Sequence, residues 1–203
     1  MVHSNPTVAG TTRATLLSRA IVGGGALVAG TVAASGLAEE SFSAPSPAQD
    51  ARILNFALQL EYVQARFYEE ALRSAGLTGE LHQFARVAGA HERAHVAFLR
   101  RHLGSRADPA PSLRFGDAVR DQRHFAAAAV ALEDLAVGAY NGQGTNLSRP
   151  ALAAAVEILS VEARHAAWVR DIAGALPAPR AQDQLWSATK ATRTLTQLGF
   201  VET

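Results

Sequence analysis

The stretch AHERAHVAFLRRHLG, residues 90–104, contains His-Glu-Arg-Ala-His, and SVEARHAAWVRDIAG, residues 160–174, repeats part of it further along the chain. The first stretch alone matches the H-E-x-x-H pattern, in which two histidines at i and i+4 bind zinc and the intervening glutamate is the base. That chemistry needs a third ligand downstream. Arg101 stands where one extended form of the motif has its histidine, Phe98 stands in place of its glycine, and residues 96–132 contain no Glu. The second stretch has Val161 where the first has His91. What both keep is Glu-x-x-His, Glu92 with His95 and Glu162 with His165, so the zinc-protease reading is set aside.

Both stretches lie on helical stripes. Leu81, Ala85, Ala88, Glu92, His95, Leu99 and His102 recur by three and four up to Gly104, which predicts a helix over 79–103. Upstream, Leu54, Leu58, Glu61, Ala65, Tyr68, Leu72 and Ala75 form a similar stripe, predicting a helix over 47–75. The short GLTG turn makes these two antiparallel. Val119, Ala126, Val130, Glu133, Val137 and Tyr140 predict a third helix over 116–140, stopped by NGQGTNLSR. Leu152, Ala155, Leu159, Glu162, His165, Val169 and Ile172 predict a fourth over 150–173. Residues 181–197 have weaker periodicity, with Trp186 as main apolar anchor, and are expected as a shorter fifth helix outside the bundle. The Pro-containing SRADPAPSLRFG, extended at roughly 3.3 Å per residue, is long enough to cross the whole bundle between the second and third helices.

The helices form an internal repeat. Leu60, Glu61 and Tyr68 match Leu132, Glu133 and Tyr140, and Glu92, His95, Phe98 and Gly104 match Glu162, His165, Trp168 and Gly174, at identical internal offsets. Two similar hairpins related by a pseudo-two-fold axis are expected. The fold class is all-α.

Composition agrees and removes other functions. The chain has 203 residues, enough for one domain with a substantial core, and 48% of them are apolar with few aromatics. A net charge of +1 without a basic stripe argues against nucleic acid as partner. There is no cysteine, so thiolate nucleophiles, disulfides and Cys-type zinc sites are excluded and any metal must be held by His and carboxylate. At the N-terminus, Arg13 and Arg19 precede the uncharged residues 20–38, which end Gly36-Leu37-Ala38 before Glu39, Glu40 and a Ser/Pro-rich linker. This reads as an export signal over 1–38, or as a membrane anchor through residues 20–38. The expected organisation is signal or anchor 1–38, linker 39–46, bundle 47–175 and C-terminal extension 176–203. The expected location is the periplasm, cell envelope or exterior, as a secreted or anchored protein.

Glu61, Glu92, His95, Glu133, Glu162 and His165 all fall on the apolar stripes. Residues i and i+3 share a helix face, and unpaired carboxylates in a bundle core carry a desolvation penalty of several kcal/mol each. Two divalent cations would balance four ionised carboxylates and leave both imidazoles neutral. A Glu from each of two helices plus Glu-x-x-His from each of the other two is the donor set of di-iron and di-manganese carboxylate bundles.

Residues 54–72, 91–104, 131–142 and 157–170 carry a resemblance to the ferritin-like superfamily, within it to the group that includes the plant desiccation-related proteins. It covers about residues 47–175 and implies a ferritin-like four-helix bundle. It also implies Glu92 and Glu162 as bridging carboxylates, Glu61 and Glu133 as terminal ones, and His95 and His165 each capping one metal. Mixed carboxylate and imidazole ligation suits iron or manganese, with zinc still open.

Tyr68 and Tyr140 have three readings: hydrogen-bond partners of the site, a redox-active phenol, or core residues with a satisfied hydroxyl, the last being the simplest. His91 departs from the repeat and reads as solvent-facing or interhelical rather than as an extra ligand or proton carrier. Phe98 and Trp168 read as packing residues, and Arg66 as a surface ion-pair partner of an acid such as Glu69. The leading expectation is an exported metal-binding protein, an oxidoreductase of dinuclear iron or manganese acting on dioxygen, peroxide or ferrous iron. Its rival is a non-catalytic bundle of the stress or desiccation response. An iron-storage cage is disfavoured by the apolar N-terminal segment, and a homodimer is left open.

Overall fold

Ser46 starts the first helix: its backbone is extended, its hydroxyl accepts from the Gln49 amide at 3.2 Å, and Pro47 occupies the first turn, where no amide partner is needed. The computed structural model describes residues 45–201, and within them α1 runs Pro47–Ser74, α2 Gly79–Leu103, α3 Gln122–Gly144, α4 Arg149–Ile172 and α5 Ala188–Leu198. Residues 1–38, read from the sequence as export signal or membrane anchor, lie outside the described residues. Among the described residues no helix is long and apolar enough to cross a membrane.

The tight turn after α1 uses Gly76 and Gly79 at positive φ, 60° and 54°, and folds α2 back along α1. Helices α3 and α4 form a second hairpin, α1 packs on α3, and α2 packs on α4. Asp50 of α1 ties the hairpins together at one end by accepting from the Ser148 amide at 2.9 Å and its hydroxyl at 2.5 Å, at the start of α4.

Between α2 and α3 the chain makes a 3-10 turn at Gly104–Arg106, runs extended, and makes another at Gly116–Val119. Asn55, Gln59 and Tyr62, one row on the outer face of α1, donate to the carbonyls of Arg106, Pro109 and Asp108 at 2.8, 3.2 and 3.4 Å. These bonds satisfy an extended backbone that has no sheet neighbour. The crossover meets the C-terminus at an antiparallel bridge between Leu113 and Val201, and the Arg114 amide donates to the Phe200 carbonyl at 2.9 Å. Phe115 and Phe200 thereby join Phe67, Tyr68, Phe84 and Phe125 in one aromatic cluster, with the Phe67 and Phe125 rings stacked at 5.3 Å. A second apolar cluster around Leu54, Leu58, Leu99, Tyr140 and Ile158 fills the other end. The core has two apolar ends with a polar layer between them.

Three expected boundaries are corrected. The third helix does not begin at 116: Asp121 is extended and caps it by accepting from the His124 amide at 3.0 Å, so residues 116–119 remain a separate turn. It also continues through the expected stop at 141 as far as Gly144, because the C-terminal segment packs on its glycines. The Trp186 amide donates to the Gly138 carbonyl at 3.0 Å, and the Trp186 ring lies on Gly138. Residues 181–187 are irregular rather than helical, with bends at 181–182. Trp186 is an anchor, as expected, but it lies ahead of α5, which begins at Ala188 and packs on α3 with Ala191 and Leu195 buried.

A Cβ on Gly142 would lie 1.8 Å from the Trp186 carbonyl oxygen. Helix propensity alone makes Gly142→Ala stabilising by about 1 kcal/mol. The clash reverses the sign, so Gly142→Ala is expected to destabilise by about 1–3 kcal/mol and to expose residues 176–187 to protease. Chemical denaturation and limited proteolysis check both.

Candidate metal centre

Each hairpin supplies one carboxylate from its first helix and Glu-x-x-His from its second, and the periodicity that buries the apolar stripe buries these groups with it. Glu61, Glu92, Glu133 and Glu162 are 0% exposed, His165 3% and His95 9%. All six expected residues therefore come together in the polar layer. They form two groups: Glu61, Glu92, His95 and Glu162, and Glu92, Glu133, Glu162 and His165, with one donor atom per residue and all donor atoms of a group within 4.8 Å of one another. Glu92 and Glu162 belong to both groups.

The orientation of these atoms matters as much as their spacing. His165 Nδ1 is 3.0 Å from Glu92 Oε1 and 3.6 Å from Glu133 Oε2, yet all three atoms lack an aligned hydrogen bond, as does Glu162 Oε1. Nitrogen and oxygen lone pairs are buried together without sharing a hydrogen along their line. An orphaned buried acceptor is costly, and four around one volume are the donor set a cation satisfies. The residues present fit a pair of divalent cations.

Tyr140 donates to Glu61 Oε1 at 2.5 Å, and Tyr68 donates to Glu133. Each phenol sits about 10 Å along its own helix from its own glutamate, so each reaches the carboxylate of the opposite hairpin instead. The simple reading and the site reading of these tyrosines coincide, because their buried hydroxyls are satisfied by the site. Burial, then the carboxylate that each faces, pushes both phenols well above their usual pKa, which keeps them neutral donors.

Gln64, 1% exposed, donates to Glu162 Oε2 at 3.3 Å, while its own Oε1 has no partner. Sequence reasoning missed it, although it lies one turn from Glu61 on the same stripe. Its counterpart in the repeat is Ala136. His91 is interhelical, as expected: its Nδ1 lies 2.8 Å from His165 Nε2. Arg66 pairs with Glu69 at 2.8 Å on the surface, and Trp168 packs edge-on against Phe84 and donates to Glu80 at 2.8 Å. A groove of about 420 Å³ between α2 and α4 is lined by Val87, His91, His95, Val161, His165 and Trp168, so it reaches the imidazole edge of the centre.

Without a cation, protons take its place. Burial pushes Glu61 up to about 8 against the pull of His95, and burial with the repulsion of Glu92 raises Glu162 well above the usual carboxylate range. Burial acts against charging His95, but Glu162, Glu61 and Glu92 outweigh it and push the imidazole up to about 12. Glu133 and Glu92 do the same for His165, which rises against its burial to about 10. Glu92 is the exception: burial would raise it, but His165 and His95 hold it at about 2.

Raised folded-state values mean that the native protein binds more protons than the unfolded chain. This stabilisation is full below the unfolded values, near 4.5 for Glu61 and 6.5 for the histidines, and is lost as pH rises through about 8 for Glu61, about 10 for His165 and about 12 for His95. The contribution of Glu92 runs the other way and is lost only as pH falls toward 2. The cation-free protein is therefore expected to melt several degrees lower at pH 9 than at pH 5, and saturating cation is expected to abolish that difference. Thermal melts across this window check it, and a rising profile in the cation-free protein would contradict it.

No curated protein matches the chain. A model of the ferritin-like domain matches residues 49–175, a span that holds the four long helices apart from the first residues of α1 and includes all six buried donors. By that match the chain belongs to the ferritin-like domain family.

Proposed function

We propose that the chain holds two divalent cations, iron or manganese, as a dinuclear redox centre acting on dioxygen, peroxide or ferrous iron. The observation that carries the reading is the pair of buried quartets sharing Glu92 and Glu162, with lone pairs left orphaned between them. Glu92 and Glu162 would bridge, Glu61 and Glu133 would each bind one cation, and His95 and His165 would cap one each. Four carboxylates against two divalent cations leave no net charge in the core, which removes the penalty that isolated charges would carry there. When bound, such a pair supplies two one-electron changes at adjacent ions and Lewis acidity toward a small oxygen species.

The chain's own groups prepare that chemistry. Tyr140 and Tyr68 hold one oxygen of Glu61 and of Glu133 from the opposite hairpin, which sets the angle of each terminal carboxylate. Gln64 does the same for Glu162. The aromatic cluster on one side and the second apolar cluster on the other keep bulk water from the carboxylates. The groove between α2 and α4 gives a small reactant an approach to the imidazole edge. The apolar residues 20–38 support an exported or membrane-anchored setting.

Full-length protein produced with iron and manganese available is expected to carry about two of these ions per chain by elemental mass spectrometry, as the dinuclear donor set requires. Glu92→Ala, which removes a member of both quartets, is expected to lose both ions and any consumption of oxidant. Loaded protein that consumes no dioxygen or peroxide above this control, and does not oxidise ferrous iron, would instead support the stress-associated structural bundle. Glu162→Gln separates ligation from folding: the amide keeps the size of the side chain and the neutral form toward which burial and the repulsion of Glu92 push this carboxyl, so the melting temperature is expected to hold while cation uptake falls. A matching loss of stability in the cation-free variant would argue for a purely structural polar layer.

A further inference from the structure

The repeat that builds the two quartets is broken beside one imidazole. His165 directs Nδ1 toward Glu92 and Glu133, and its Nε2 lies 2.8 Å from His91 Nδ1. The two rings are within 14° of parallel with centroids 5.1 Å apart. Stacked faces would keep their atoms about 3.5 Å apart, so the shorter nitrogen separation means that the ring edges meet in a common plane, as an N–H···N hydrogen bond requires. A neutral imidazole has one donor and one acceptor nitrogen. When the Nδ1 lone pair of His165 is given to a cation, the imidazole is neutral, its proton sits on Nε2, and Nε2 donates to His91 Nδ1. His91 then keeps its own proton on Nε2, on the far side from the centre.

His95 has no such brace. Its Nδ1 faces Glu61, Glu92 and Glu162 at 3.2, 3.0 and 3.1 Å, and no hydrogen bond to its Nε2 occurs among the described residues. In the repeat the position of His91 is taken by Val161, which lines the same groove and has no lone pair to offer. Gln64 against Ala136 is a second break in the repeat. Gln64 acts on Glu162, which both quartets share, and so favours neither.

We infer that His91 is a positioning residue for His165 and makes the two cation positions unequal: the quartet of Glu92, Glu133, Glu162 and His165 holds its ion more tightly than that of Glu61, Glu92, His95 and Glu162. The inference rests on the dinuclear reading above. A partner on the far nitrogen of a metal-binding imidazole fixes its tautomer and ring angle and raises its basicity, and removing such a partner lowers affinity roughly 10–100-fold. His91 is exposed, so its replacement leaves core packing alone.

The test is a titration of metal-stripped, full-length protein with Mn(II), free ion being followed by electron paramagnetic resonance. Wild type is expected to bind two ions in two distinguishable steps. His91→Val, which copies Val161, is expected to weaken the tighter step about 10–100-fold and leave the weaker one in place. His91→Gln, which keeps an acceptor, is expected to restore most of the loss, a recovery that a merely structural role would not give. Val161→His is expected to strengthen the weaker step. Two equal steps in wild type, an unchanged His91→Val, or equal weakening of both steps would each overturn the inference while leaving the dinuclear reading standing. Failure of wild type to bind Mn(II) would overturn both.

Discussion

Four carboxylates and two imidazoles in the dry middle of a helical bundle are the constraint on which the rest of this structure depends. Each ion removed from water carries a penalty of several kcal/mol unless charge and lone pairs are answered on the spot. Among the described residues no Lys or Arg is one of the buried polar side chains. The answer must therefore come from protons, which the raised values of Glu61, Glu162, His95 and His165 describe, or from cations, which the orphaned donor atoms describe. These are two occupancies of one site, in competition for the same lone pairs, and binding a cation displaces protons. The two apolar clusters at either end carry the stability that lets the middle stay polar.

The repeat explains why there are two quartets and not one. A single hairpin offers only two carboxylates and one imidazole, too few donors for two cations, and its polar face would be left open. Two hairpins packed face to face close the layer, and each phenol crosses to the other hairpin's glutamate. The carboxylates that belong to both quartets, Glu92 and Glu162, come from the Glu-x-x-His helices α2 and α4. The same helices place both imidazoles along the groove between them, the least covered edge of the centre.

Much of this was legible in the sequence because the controlling signal is local and periodic. A stripe recurring by three and four names a helix and its buried face at once, so Glu61 and Glu133 could be read as buried before any contact was known. Identical offsets in the two hairpins then brought six donors together. What stayed illegible depends on contacts between distant segments. Phe115 and Phe200 sit in non-helical chain, and their burial follows from the bridge between Leu113 and Val201. The helical run through Gly142 looked like a stop signal because glycine usually marks one. Here the glycines are needed for the close approach of Trp186. Gln64 was hidden for the opposite reason: it sits on a well-read helix at a position that the repeat does not copy. His91 stood out as such a departure, but its contact with His165 was not legible.

Departures from an internal repeat carry a particular kind of information. Where two copies agree, as at Glu92 and Glu162, the shared residue serves a requirement common to both halves of the site. Where they differ beside a donor that belongs to only one quartet, the difference acts on one half alone. His91 against Val161 is such a case, with a lone pair within 2.8 Å of one imidazole and none offered to the other. A pseudo-symmetric donor set is therefore embedded in an asymmetric setting, and two ions held by chemically similar ligands need not have the same affinity or basicity at their histidines. In the proposed dinuclear centre that inequality would set the order in which the positions fill, and the ion at the weaker position would be the one free to exchange.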